Sequence, residues 1–236
     1  MKHWITGSGT RITRIIGGRS NAFLITGKGV HLLVDTGPGF MKRRLENNLN
    51  REQNAGLDFL VLTHTHFDHA ANAGMIKSAF NPRVIAHAAE AQFLESGDSP
   101  LPAGTNFLTS WLVRTFEKKV TGLVRFPGVT PDLMIDKATD LSDSGINVAI
   151  LPTPGHTAGS LSVIIDQELA LVGDTLFGVI PGRCFPPFAD NVDELINSWQ
   201  LLLNTGCRLF LPSHGRSRSR EELQTNLGIR LQQIIR

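Results

Sequence analysis

The chain contains no tyrosine, so no phenol can serve as acid, nucleophile or oxyanion donor. It has two cysteines, Cys184 and Cys207, which permits one internal disulfide at most and excludes a disulfide-built scaffold. Charge is sparse: Asp, Glu, Lys and Arg make up 19% of the chain, against a typical ~25%. A net charge of +2 is no argument for a nucleic-acid or membrane-surface partner. No apolar run approaches the ~18 residues that a membrane-spanning helix needs. The opening Met1-Lys2-His3-Trp4-Ile5-Thr6-Gly7 lacks the apolar stretch of a secretory signal. These absences lead to the expectation of a soluble, cytoplasmic globular protein.

What is present suffices for a packed core. The 236 residues are 41% hydrophobic, which excludes a disordered or fibrous chain, and α/β domains often reach ~200–250 residues. One domain with a modest insertion is expected. Short apolar runs at Arg11–Ile16, Ala22–Thr26 and Val30–Asp35, separated by glycine turns, predict strands. Pro38 suits a helix start, with Met41, Leu45 and Leu49 on one face. Strands are predicted at Leu57–Leu62, Arg83–His87, Ile146–Leu151, Leu161–Ile165, Leu169–Gly173 and Arg208–Leu211. Helices are predicted from about Asp68, over Ala88–Leu94 and over Asn191–Asn204, and Ser219 with Glu222 forms a capping box for a closing helix. This rhythm predicts a layered α/β domain. Ser96–Asp140 interrupts it and reads as an insertion, with an apolar stripe of Phe107, Leu108, Trp111 and Leu112 that could pack on the core or line a pocket as a lid.

The chemistry is concentrated after the strand at Leu57–Leu62, in His64-Thr65-His66-Phe67-Asp68-His69. In an extended segment, residues two apart point the same way, so His64 and His66 can converge on one point. Asp68 and His69, where the chain turns into a helix, can serve a second. Imidazole and carboxylate are ligands that a borderline divalent cation prefers. More candidates follow predicted strands and adjoin glycine: His156 in Thr153-Pro154-Gly155-His156-Thr157, Asp174 in Gly173-Asp174-Thr175, His214 in Pro212-Ser213-His214-Gly215, and Asp35 before Thr36-Gly37. Strand ends are where α/β proteins usually build their sites. His3, His31 and His87 read as ordinary core or surface residues.

His64-x-His66-x-Asp68-His69, followed in order by His156, Asp174 and His214, resembles the metallo-β-lactamase superfamily in its two-metal form. The resemblance implies an α/β fold, a four-layer αββα sandwich with the metals at one edge of the sheets. It assigns His64, His66 and His156 to one ion, Asp68, His69 and His214 to the other, and Asp174 as the bridge. It places Asp35 behind the ligands as a support, since ligating histidines usually need one. The implied cofactors are two divalent ions, zinc first, with iron or manganese acceptable to the same donors. The implied activity is hydrolysis by a metal-bridging hydroxide, with Asp68 orienting the nucleophile and moving its proton.

Among the branches, Gly173-Asp174-Thr175-Leu176-Phe177 and Thr153-Pro154-Gly155-His156-Thr157 look most like hydroxyacylglutathione hydrolase, a thioesterase. That enzyme carries a helical C-terminal region, whereas about twenty residues follow His214 here. True β-lactamases of the family usually have cysteine in place of the bridging aspartate. Lactonases typically place a tyrosine near the metals, and RNA-processing members bring a basic arm. A small thioester, ester or lactone is therefore the expected substrate. A mononuclear iron sulfur dioxygenase and a metal-binding member without hydrolase activity are the alternatives. Cys184, on the loop after Asp174, and Arg216, Arg218 and Arg220, after His214, are compatible with either substrate contact or a structural role.

Overall fold

The computed structural model describes residues 1–18, 20–52, 56–99, 103–105 and 124–234. Its first sheet runs in the order β1 (His3–Ile5), β2 (Arg11–Ile16), β3 (Ala22–Gly27), β4 (Val30–Val34), β5 (Phe59–Val61), β6 (Arg83–His87), β7 (Leu133–Ile135). It is antiparallel from β1 to β4 and parallel from β4 to β7. The second sheet runs β13 (Arg218–Ser219), β12 (Leu209–Leu211), β11 (Leu169–Leu171), β10 (Leu161–Ile165), β9 (Val148–Pro152), β8 (Thr139–Asp140). Only β11 and β12 are parallel there.

Strand periodicity explains why the sheets stack. In β4, Leu32 and Val34 enter the core between the sheets while Leu33 faces the helices. In β10, Leu161, Val163 and Ile165 enter the same inter-sheet core and Ile164 points outward. Helices α1 (Lys42–Glu52), α2 (Phe67–Ala70), α3 (Ala73–Phe80) and α4 (Ala91–Ser96) cover the first sheet, with Leu45 and Leu49 of α1 fully buried. Helices α5 (Val192–Asn204) and α6 (Arg220–Ile234) cover the second. The result is the αββα sandwich. The predicted capping box forms: the Ser219 amide donates to Glu222 Oε2 at 2.9 Å and the Glu222 amide donates to Ser219 Oγ at 3.2 Å. No helix among the described residues is long and apolar enough to cross a membrane.

One expectation needs correction. The far end of the Ser96–Asp140 stretch is not insertion: Leu133–Ile135 pairs with β6 and Thr139–Asp140 with β9, each at a sheet edge. Strands of three and two residues are too short to display a period, so only pairing reveals them. Phe107, Leu108, Trp111 and Leu112 lie outside the described residues. Cys184 and Cys207 are free and buried, as expected of reduced residues.

Both sheets end at the same edge. The C-terminal ends of β4, β5, β9, β11 and β12 deliver the segments beginning at Asp35, Leu62, Thr153, Val172 and Pro212. A hydrogen bond from the Leu161 amide to the Thr63 carbonyl (2.8 Å) ties the two sheets there. Gly173 (φ 51°) completes the seam, since a Cβ on it would lie 2.8 Å from the Thr63 side chain.

Candidate metal centre

The structure brings His64, His66, His69, His156, Asp68, Asp174 and His214 together at this edge, on side chains donated by both sheets. Ligand atoms of His64, His66 and His156 lie within 4.8 Å of one another, as do those of Asp68, His69 and His214. Asp174 reaches both sets: its Oδ2 is 3.6 Å from His156 Nε2 and 3.3 Å from His214 Nε2, and its Oδ1 is 3.6 Å from His69 Nε2. His3, His31 and His87 take no part in these clusters.

Hydrogen bonding fixes which ring nitrogen each histidine presents. The Thr63 hydroxyl donates to Asp35 (2.9 Å to Oδ2), so its oxygen accepts from His64 Nδ1 at 3.1 Å. His69 Nδ1 donates to Asp35 Oδ2 at 2.9 Å, and His156 Nδ1 donates to the Phe188 carbonyl at 2.9 Å. Three rings thereby turn Nε2 toward the cluster. Of the five buried side-chain polar atoms without a hydrogen-bond partner among the described residues, four belong here: His64 Nε2, His66 Nε2, His69 Nε2 and Asp174 Oδ1. Buried polar atoms are normally satisfied. A concentrated exception made of nitrogen and carboxylate donors fits divalent metal.

Asp35 lies behind the cluster, hydrogen-bonded to Thr63 and His69. Its carboxylate also accepts the Thr63 amide at 2.9 Å and the Ser213 hydroxyl at 3.0 Å, so it joins the ends of β4, β5 and β12. It adopts φ 59°, a left-handed conformation that aspartate tolerates better than most side chains.

Sequence reasoning missed two further supports. Buried Glu90 accepts from the Thr65 amide at 3.0 Å and from the Thr65 hydroxyl, holding His64-Thr65-His66 extended. Ser20 donates to Asp68 Oδ2 at 2.9 Å. Neither adjoins a ligand in sequence, although an acid within Ala88-Ala89-Glu90-Ala91 was a faint signal.

Charge sorts the two halves. Burial works to lower His69, but Asp68, Asp174 and Asp35 lift it to about 9. Against the same burial, Asp174 and Asp68 lift His214 to about 11. Burial would raise Asp174, yet His214 and His69 hold it near 2. Burial likewise opposes ionisation of Asp68, and His69, His214 and Ser20 keep it well below the usual carboxylate range. His64 and His66 go the other way: burial and neighbouring imidazoles push both down, His66 to about 3. Protons therefore occupy His69 and His214 at neutral pH when no metal is bound, while His64 and His66 are neutral. Metal binding must displace the protons on the first pair. Affinity for an ion at Asp68, His69 and His214 is expected to rise with pH up to about 11, the value to which His214 is lifted, and most steeply below about 9, where His69 must also lose its proton. Up to about two protons should be released per ion bound there. Calorimetric titration in buffers of different ionisation enthalpy measures that number, and release of none would contradict the assignment.

The remaining candidates divide clearly. Cys184 is fully buried among α5 and α6 residues, and burial pushes its thiol up to about 11, so it is neither exposed to substrate nor ionised. Arg218, 1% exposed, donates to the carbonyls of Phe177, Ile180 and Arg183 and to Glu222; it shapes the loop after Asp174 from beneath. Arg220 caps the Cys207 carbonyl at 3.2 Å. That loop borders a cleft of about 370 Å³ lined by Thr105, Phe177, Val179, Ile180, Phe185 and two arginines, Arg183 and Arg230. Phe177 stacks on His214 with ring centroids 4.8 Å apart, so the cleft abuts the metal edge. The Arg230 guanidinium lies 3.7 Å from the Phe185 ring centroid.

Comparison with known proteins agrees with this geometry. The family model described as metallo-beta-lactamase superfamily matches residues 15–214. A probable metallo-hydrolase of Methanocaldococcus jannaschii is 31% identical over 185 residues, which is 78% of this chain and 79% of that protein. A hydroxyacylglutathione hydrolase of Acidiphilium cryptum is 31% identical over 129 residues, 55% of this chain but 39% of its own length. Among solved structures, an archaeal metallo-beta-lactamase superfamily protein from Sulfolobus tokodaii superposes with a TM-score of 0.65 at 18% identity, covering 90% of this chain and 80% of that one. The metallo-beta-lactamase MIM-1 from Novosphingobium pentaromativorans gives 0.68 at 16% identity, covering 98% and 88%.

Proposed function

The chain belongs to the metallo-β-lactamase superfamily, and on that premise we propose that it is a dinuclear metal hydrolase cleaving a small thioester, ester or lactone. The observation that carries the reading is the group of buried, unpartnered ligand atoms on His64, His66, His69 and Asp174. His64, His66 and His156 would hold one ion, Asp68, His69 and His214 the other, with Asp174 shared. Divalent ions so held, zinc first, would supply activation of water and polarisation of the acyl oxygen. Asp68 is the only carboxylate of the set with substantial exposure, 22% for its side chain. Ser20 fixes one of its oxygens, and it orients the attacking water and moves the proton to the leaving group. Asp35 holds the His69 ring directly and the His64 ring through Thr63, and Glu90 holds the backbone between His64 and His66. The cytoplasmic setting expected from the sequence belongs to the same proposal.

The cleft beside His214 suggests what is cleaved. Phe177, Val179, Ile180 and Phe185 offer an apolar wall for a short acyl or leaving group. Arg183 and Arg230 have no carboxylate within ion-pair distance among the described residues, and burial and Arg183 both disfavour the charge on Arg230. An acidic group on the substrate relieves that repulsion. Residues 103–105 run beside 186–190 through hydrogen bonds from Ala103, Thr105 and Ala189, and Phe67 donates its amide to Ser99.

Two experiments test these readings. Elemental analysis of protein purified without added metal should give about two ions per chain. Turnover of a thioester, ester, lactone and phosphodiester panel, with oxygen uptake recorded, should favour the acyl substrates. One iron per chain with oxygen consumption would replace the proposal by the dioxygenase reading, and metal without turnover by the binding-only reading. Arg183→Gln and Arg230→Gln should each raise KM about 10-fold or more for an acyl substrate bearing a carboxylate. They should leave kcat and the KM of a neutral ester nearly unchanged. An equal KM rise for the neutral ester would remove the acidic group from the proposal.

A further inference from the structure

We infer that Arg218 is a positioning residue for substrate selectivity: without touching substrate, it sets the gap between Arg183 and Arg230 that receives an acyl group ending in a carboxylate. The inference rests on the reading of the cleft beside His214 as the substrate site. Arg218 is 1% exposed. Its Nε donates to the Phe177 carbonyl at 3.1 Å, and its Nη2 donates to the carbonyls of Ile180 and, at 2.9 Å, of Arg183. All three carbonyls belong to residues that line the cleft. Apart from one bridge at Gly178, residues 177–183 form neither helix nor strand. A guanidinium carries its donors in a rigid planar fork, so one side chain fixes the spacing of an irregular wall.

The same side chain reaches the opposite wall. Its Nη1 donates to Glu222 Oε1 at 3.1 Å. Glu222, Asn226 and Arg230 follow at four-residue intervals along α6 and share one face of it. Asn226 donates to the Gly182 carbonyl at 3.0 Å and accepts the Cys184 amide at 3.0 Å, a second tie to the loop. Arg230 itself lines the cleft. Arg218 therefore joins the loop that carries Arg183 to the helix that carries Arg230. Like charges on untied walls would move apart. Here they stay close enough that Arg183, after burial, disfavours the charge on Arg230, and a carboxylate between them is preferred to its neutral counterpart.

Kinetics with two esters test the inference: mono-para-nitrophenyl glutarate, which bears a carboxylate, and neutral para-nitrophenyl butyrate. Arg218→Lys keeps the charge but replaces the fork by one nitrogen. The ratio of the glutarate KM to the butyrate KM is expected to rise about 10-fold, through KM rather than kcat, with metal content retained. Glu222→Gln, at a side chain 37% exposed, loosens only the tie to the helix and should raise the ratio about 3-fold. Isothermal titration with glutarate and with butyrate should show the same loss of preference without turnover. A lower melting temperature with the ratio unchanged in both variants assigns Arg218 to packing alone and overturns the inference. Arg183→Gln and Arg230→Gln, measured alongside, separate the two readings. If they too leave the ratio unmoved, the cleft is not the substrate site and both readings fall. If they move it while Arg218→Lys and Glu222→Gln do not, the cleft stands and the role of Arg218 falls alone.

Discussion

Asp174→Ala is expected to leave the protein with less than half its metal and to lower kcat/KM by more than ~100-fold, beyond the ~10–100-fold typical of losing a group that only supports ligands. It is the carboxylate placed between the two ligand sets: its oxygens lie within 3.6 Å of His69, His156 and His214. Removing it also leaves the raised charges of His69 and His214 facing each other with only Asp68 between them. The proper comparison is Asp35→Asn, which keeps a side chain tolerant of φ 59° but turns one acceptor of a buried carboxylate into a donor. That variant should retain more metal than Asp174→Ala and fall within the ~10–100-fold range. Metal analysis and kinetics on both variants check the order, and a greater metal loss in Asp35→Asn would invert the roles assigned to the two aspartates.

Trp199→Ala should cost ~3–5 kcal/mol of stability, the largest packing effect available in the second layer. Trp199 is fully buried in the cluster joining α5 to β10, β11 and β12, and its indole Nε1 donates to the Thr175 carbonyl at 2.7 Å. At ~2–4 °C per kcal/mol for a chain of this size, the melting temperature should fall by roughly 6–20 °C. Trp199→Phe separates the two contributions: it keeps most of the volume and leaves the carbonyl next to Asp174 without its donor, for ~1–3 kcal/mol. Denaturant unfolding of the metal-free forms measures both. A cost below ~1 kcal/mol for the alanine variant would falsify the packing argument.

The site was more legible in the sequence than the fold that builds it. Histidines two residues apart, and aspartates or histidines beside glycine after an apolar run, announce themselves because the chemistry demands those residue types at strand ends. All eight residues expected at the site, Asp35 among them, come together at one edge. Long periodic elements were equally plain: the helix predicted over Asn191–Asn204 is present over Val192–Asn204, with Asn191 accepting from the amides of Asp193 and Glu194. The missed elements were β1, β7, β8 and β13. Each is two or three residues long and exists because a neighbouring strand offers an edge, which is information held in the partner rather than in the segment. Glu90 and Ser20 were missed for the same reason, since each acts on a residue at least 25 positions away.

The seam at Leu161–Thr63 and Gly173 has a consequence for how the protein matures. The first sheet supplies His64, His66, Asp68 and His69, and the second supplies His156, Asp174 and His214, so a half-formed chain owns only a fragment of either ligand set. Tight metal uptake thus waits on the docking of the two sheets, and an ion captured there favours the docked state over every partly folded one. Late in folding, the centre works as a latch: it closes between residues far apart in the chain, and stripping the metal should loosen the two halves from each other before either loses its own strands.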